Sequence, residues 1–173
     1  MAIKINIKFE EKKWREINFR SMARQAFEVT LRSLSREDIV EKAEVSILAC
    51  NDQVMRKYNN QYRDTNDPTD VLSWPRRNQL YEREALISLP NGPTKVGQND
   101  LYELGDVAIS YDTCVNQAKE LGLKLESHVV HLLVHACLHL LGFSHQKDSD
   151  FQIMKDLEIK CLEACGIENP YLL

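Results

Sequence analysis

The sequence predicts an α+β protein with α/β-type layers, in which a four-stranded mixed β-sheet packs around a central buried metal-binding helix and further helices flank it. Three observations carry this. Up to about Ser110, stretches that read as strands, the first with two-residue apolar alternation, are interleaved with stretches whose apolar residues recur every three or four positions, and beyond that point helical patterns follow one another. The run from Val129 to Leu141 is apolar on nearly every side, as only a helix at the centre of a domain can be. That run also carries histidines at helical spacing.

In chain order, Ala2 to Phe9 places Ile3, Ile5, Ile7 and Phe9 at alternate positions, the pattern of a strand buried on one face. From Phe19 to Leu34 the residues Phe19, Met22, Ala23, Ala26, Phe27, Leu31 and Leu34 form an apolar stripe, and Arg20, Arg24 and Arg32 a solvated face. Val45 to Cys50 predicts a second strand. Asn51 or Asp52 then caps a helix reaching about Tyr62, with Val54, Met55, Tyr58 and Tyr62 expected to point inward. Val71 to Trp74 is a short strand closed by Pro75, and Leu104 to Ser110 is a fourth. Between them, Arg76 to Tyr102 has no sustained period and reads as a long connection. Helices are expected over Asp112–Leu121, ended by Gly122, over Ser127–Leu141, and over Ser149–Cys165, stopped by Gly166. No repeat, low-complexity tract or linker divides residues 1–173, so one metallohydrolase-type domain is expected.

Composition sets the outer bounds. A chain of 173 residues, 43% hydrophobic and 28% charged, suits a globular domain with a substantial core. A net charge of −4 neither marks a nucleic-acid binder nor excludes one, because binding answers to a local groove rather than to the global sum. No apolar run approaches the ~20 residues that span a bilayer, and the N-terminus lacks a signal-peptide core. A cytoplasmic protein with no membrane partner is expected. The five cysteines, Cys50, Cys114, Cys137, Cys161 and Cys165, lack CxxC spacing and read as reduced, mostly buried small hydrophobes.

The chemistry concentrates between His135 and His145. His135 and His139 lie four residues apart in the apolar run, so a helix puts both imidazoles on one face. Gly142 ends the helix in a left-handed conformation and lets the chain turn back with His145 as a third ligand. Three nitrogens with a fourth position left for water form the donor set of a catalytic zinc site, whereas a structural site is closed by four protein ligands. One Zn2+ ion is therefore the expected cofactor, although nickel, copper or iron suit the same ligands. The spacing is that of the metzincin proteases, yet the position of their general-base Glu is Ala136, which argues against a protease of that type. A three-histidine ion lowers the pKa of its water to about 7, so no dedicated carboxylate base is required.

Other residues near this block carry less. Cys137 points to another face of the helix. His131 and His128 fall on roughly the ligand side, but only His135 and His139 are correctly spaced from Gly142 and His145. His131 is then a candidate catalytic group that supports the ligands or faces the substrate, and His128 a structural or exposed residue. A second constellation runs from Asn60 to Ser73, where a helix ends and a strand begins. Asp67-Pro68-Thr69-Asp70 has the chemistry of a turn. Arg63 is less well explained by a turn, because a guanidinium fork is the usual partner of a carboxylate or a phosphate. It pairs with Asp67 or Asp70 in the bland case and with substrate in the functional one.

Taken together, Asn60, Tyr62 and Arg63, the stretch from Asp67 to Pro75 (DPTDVLSWP), Leu104 to Ser110 (LGDVAIS) and His131 to His145 (HLLVHACLHLLGFSH) closely resemble the YbeY family of bacterial ribosomal-RNA maturation endoribonucleases, in order and in spacing. The resemblance covers about Val45 to Tyr171, including the closing Asn169-Pro170-Tyr171, while the first strand and helix fit in pattern only. Two departures stand out. The family usually has Gly after the first ligand histidine and Asp before the last, where this chain has Ala136 and Ser144. A carboxylate at the second position would orient the third imidazole.

The resemblance implies a single-strand-specific, metal-dependent endoribonuclease acting in ribosomal-RNA maturation, at the 3′ end of the small-subunit rRNA, and in ribosome quality control. Single-stranded ribosomal RNA would be the substrate, ribosome or small-subunit assembly proteins the partners, and Arg63 a residue lining the site. Two alternatives stand beside it. One is a metallohydrolase of another class, such as a peptidase, with Asp106 or Asp148 supplying the base. The other is a non-catalytic, zinc-containing ribosome-assembly factor.

Overall fold

The computed structural model describes residues 2–76, 101–145 and 148–172. Strands β1 (Lys4–Phe9), β2 (Ala43–Cys50), β3 (Val71–Pro75) and β4 (Tyr102–Ser110) form a sheet in the order β1-β2-β4-β3. The first two pairings are parallel and β3 runs antiparallel to β4, which makes the sheet mixed, as expected. Parallel neighbours need a crossover rather than a hairpin. Helices α1 (Phe19–Ser33) and α2 (Glu37–Val40) supply it between β1 and β2. Helix α3 (Asp52–Arg63) leaves β2, and α4 (Tyr111–Glu120), α5 (Leu125–Leu140) and α6 (Asp148–Ala164) follow β4. The long connection expected over Arg76–Tyr102 lies, from residue 77 to 100, outside the described residues. Among the described residues no helix is long and apolar enough to cross a membrane.

Two short elements fall below what periodicity can detect. A 3-10 turn at Lys12–Arg15 seats the fully buried Trp14, whose Nε1 donates to the Cys50 carbonyl at 2.8 Å. α2 is a single turn of four residues that buries Ile39 and Val40. The cysteines are free, and all but the half-buried Cys165 are buried.

The two faces of the sheet are treated differently. Val45, Ile47, Val107 and Ile109 point toward α1 and α5 in the main core, while Leu72 and Ala108 point the other way, under Met55 of α3. α5 is the central helix. Between His128 and Leu140 each of its residues is buried except His131, His135 and His139, which form a half-buried stripe at i, i+4 and i+8. The inward orientation expected of Tyr62 is overturned, since this ring is 56% exposed. Asn59 takes the buried position instead, because its Nδ2 donates to the Asp67 carbonyl at 2.6 Å and satisfies the turn before β3.

Gly105 fixes the spacing between β3, β4 and α5. It has a φ of +136°, and a Cβ there would lie 2.2 Å from the Trp74 carbonyl oxygen and 3.1 Å from Leu140 Cδ2. Backbone approaches backbone at this point, so only glycine fits.

Candidate metal centre

The histidine stripe ends in a turn that completes the site. Leu141 N–H donates to the Cys137 carbonyl, Phe143 N–H to the Leu138 carbonyl, and Gly142 sits at a φ of +91°, so the helix closes in a left-handed cap. The turn does two things for the centre. It swings His145 back, with ring centroids 5.6 Å from His135 and 5.0 Å from His139. It also aims the Phe143 carbonyl at Nδ1 of His139, 2.9 Å away. One ligand atom from each of His135, His139 and His145 lies within 4.8 Å of the other two.

Hydrogen bonding sets the tautomers. Nδ1 of His135 donates to Glu158 Oε1 at 2.7 Å, and Nδ1 of His139 donates to a carbonyl, so both rings carry their proton on Nδ1 and present the Nε2 lone pair inward. Those two Nε2 atoms are 3.0 Å apart. Two lone pairs at that distance repel, unless a cation lies between them. Neighbouring nitrogens on a tetrahedral ion with bonds of 2.0–2.1 Å are about 3.3 Å apart, so the pair fits one ion closely. Burial, and then the neighbouring His135, lowers the pKa of His139 to about 4, which keeps this ring neutral, as a ligand must be.

Glu158 is the residue that sequence reasoning missed. It lies on α6, 1% exposed, at a position otherwise apolar in register with Met154, Cys161 and Leu162. A buried charge must be paired. Glu158 is paired three times: its Oε1 accepts from His135, and its Oε2 accepts from Nε2 of His131 at 3.1 Å and from the Tyr171 hydroxyl. Burial alone would raise its pKa, but the hydrogen bonds from His131 and His135 outweigh this and hold it well below the usual carboxylate range. Burial, followed by the bond to Glu158, pushes the Tyr171 phenol upward, so Tyr171 stays a donor. A signal was available in the sequence: a glutamate on the apolar stripe of a helix.

Arg63, Asp70, Gln117 and Glu158 line the same cleft of about 550 Å³ as His131, His135, His139 and His145. Arg63 is the last residue of α3, exposed, and makes no ion pair among the described residues. The pairing with Asp67 or Asp70 expected of a simple turn residue is therefore absent among them. Asp70 is otherwise engaged: its Oδ1 accepts from Val71 N–H at 2.6 Å and its Oδ2 from Gln117 at 3.1 Å. Gln117 in turn accepts from Nε2 of the buried His128 at 2.8 Å, and His128 is not among the three histidines whose ligand atoms converge. Asp106 lines a cleft on the other face of the sheet, and neither it nor Asp148, at the start of α6, is among the described residues that line the histidine cleft. His145 is the most exposed of the three, and its ring makes no hydrogen bond among the described residues, consistent with Ser144 offering no carboxylate.

The profile of the family described as Endoribonuclease YbeY matches residues 4–166. Endoribonuclease YbeY of Ruegeria sp. is 38% identical over 169 residues, covering 98% of this chain and 96% of that protein. The protein of the same name from Dinoroseobacter shibae is 38% identical over 168 residues, covering 96% and 90%. A solution structure from Thermotoga maritima matches with a TM-score of 0.51 at 17% identity, over 93% of this chain and 91% of that one, a likeness of fold alone.

Proposed function

Since this chain belongs to the YbeY family of endoribonucleases, we propose that it cleaves single-stranded ribosomal RNA at a centre formed by His135, His139 and His145 around one divalent ion, zinc first among the candidates. The observation that carries this reading is the inward convergence of the Nε2 atoms of His135 and His139, each ring fixed from behind by an acceptor on Nδ1. When bound, such an ion supplies Lewis acidity and water activated near neutral pH.

The chain's own residues do the rest. Arg63, with its guanidinium free of a carboxylate among the described residues, holds the phosphodiester in the cleft and stabilises the charge that gathers on it in the transition state. Glu158 orients His135 and tethers His131, which acts as a positioning residue through that carboxylate. Glu158 accepts hydrogen bonds from both histidines and Tyr171, which leaves it unsuited to the role of a peptidase's free general base. Residues 1–173 act as one domain, in the cytoplasm, during maturation of the small-subunit rRNA and in contact with assembling small-subunit proteins.

The test is metal analysis of the isolated protein beside cleavage of single-stranded RNA with and without a chelator. Stoichiometric metal and chelator-sensitive cleavage are expected. Full activity of a metal-free protein, or turnover of peptides and not RNA, overturns the proposal. End-group analysis of the products then identifies the nucleophile, since attack by the 2′-hydroxyl leaves a 2′,3′-cyclic phosphate.

A further inference from the structure

The sheet has a second open face. On the side away from α5, Lys8, Ser46, Asp106 and the aromatic residues Tyr58, Tyr62 and Trp74 line a cleft of about 690 Å³, roomier than the histidine cleft. Tyr62 is 56% exposed, yet it is held: its ring stacks on Tyr58 with planes 9° apart and centroids 6.4 Å apart, and it meets Trp74 edge-on at 5.4 Å. Tyr58 and Trp74 are half-buried and pack against the small core under α3. The result is an aromatic shelf whose rings brace one another and whose outermost member, Tyr62, is exposed.

This shelf adjoins the histidine cleft along one line. At the end of α3, Tyr62 lines the aromatic cleft and Arg63 the histidine cleft; on β3, Trp74 lines the aromatic cleft and Ser73 the histidine cleft. Successive strand residues face opposite ways, and β3 is an edge strand, so the two clefts are the two sides of one strand at the rim of the sheet. A phosphodiester held at Arg63 therefore has its flanking nucleotides next to that rim. The aromatic side offers no free cation for a phosphate among the described residues that line it, since Lys8 is paired with Glu10 at 2.7 Å and Asp106 leaves one carboxylate over. Such a surface suits bases rather than phosphates.

We propose that Tyr62 and Trp74, backed by Tyr58, form a base-stacking platform for the single-stranded RNA flanking the scission site, the strand crossing the β3 rim from one cleft to the other. The platform rests on the endoribonuclease reading above. Aromatic faces accept any unpaired base by stacking and so tolerate sequence, while the bases of a duplex are already stacked on one another and cannot be offered. The platform thereby supplies a physical reason for single-strand selectivity at named residues.

The test uses the full-length, metal-loaded protein. Of its two tryptophans, Trp14 is fully buried, so emission that responds to a ligand comes from Trp74. A 2′-O-methyl RNA 12-mer without secondary structure should quench that emission, and the same 12-mer in a duplex should not. Tyr62→Ala should reduce the kcat/KM advantage of a long single strand over a trinucleotide by roughly tenfold, the scale of one lost stacking partner, and Tyr62→Phe should restore it. An unchanged advantage with no quenching, while RNA is still cleaved, overturns the platform alone. Quenching by a protein that cleaves no RNA overturns the endoribonuclease reading instead. Loss of self-association in Tyr62→Ala, with the RNA kinetics unchanged, assigns the shelf to a protein contact and also overturns the platform.

Discussion

Glu158 of α6 accepts a hydrogen bond from Nδ1 of His135 at 2.7 Å while lying 1% exposed, so an imidazole on α5 is oriented by a charge from a different helix. Replacing it tests that coupling. Glu158→Gln keeps the shape and one acceptor but loses the negative charge. Metal affinity should fall by about 10- to 100-fold, the usual scale for the outer partner of a ligating histidine. Competition against a chelator of known strength measures this; unchanged affinity would mean that Glu158 serves the fold alone.

Ligand identity can be tested position by position. His139→Ala should release the metal, and His128→Ala, which removes the link to Gln117 and the edge-on contact with His131, should retain it at a stability cost of ~1–3 kcal/mol. Retention in the first and loss in the second would show that the wrong face of α5 has been taken. Chelation of the unsubstituted protein should lower Tm, because an ion present at about a thousandfold excess over its Kd contributes ~4 kcal/mol to the folded state.

Arg63→Ala separates catalysis from turn structure. The side chain is exposed and makes no ion pair among the described residues, so fold and metal content should be kept while RNA turnover drops by ~10²-fold or more, the scale of one lost transition-state donor. Arg63→Lys should rescue in part, since lysine keeps the charge without the two-pronged contact. A lower Tm with unchanged cleavage per folded molecule would return Arg63 to the turn.

Acid should weaken the metal-free protein in a defined window. Burial, then His135, depresses the pKa of His139 to about 4, against an ordinary value of 6.5. The unfolded chain takes up a proton below 6.5 that the folded chain refuses until about 4. Stability is thus fully present above 6.5 and is lost progressively as the pH falls toward 4. Denaturant midpoints of the chelated protein at pH 7.5, 6 and 4.5 should fall in that order, and His139→Gln should flatten the decline.

Much of this was legible from residue order because it is local. Alternation marks the first strand, the i, i+4 pair and Gly142 mark the histidine cap, and Arg63 stands out because a turn explains it less well than its neighbours. What was hidden depends on tertiary contact. Glu158 sits 23 residues from His135, and only the packing of α6 on α5 brings the two together. Tyr62 looked inward because helical periodicity cannot tell which side of a helix a sheet will cover, and Asn59 won the buried place through a hydrogen bond that no hydropathy pattern records. Asp70, Gln117 and His128 form a chain from the turn before β3 through α4 to α5 for the same reason. The single-turn α2 is too short to have a period at all.

Gly105 has a consequence at the level of the gene. Every single-base change of a glycine codon that alters the residue introduces a Cβ, and at this position a Cβ would lie 2.2 Å from the Trp74 carbonyl. Displacing that carbonyl moves the strand that carries Ser73 into one cleft and Trp74 into the other, and the contact with Leu140 passes the strain to the end of the histidine helix. A library of random missense alleles selected for function should therefore be empty at codon 105, although the residue bears no functional group and lines neither cleft.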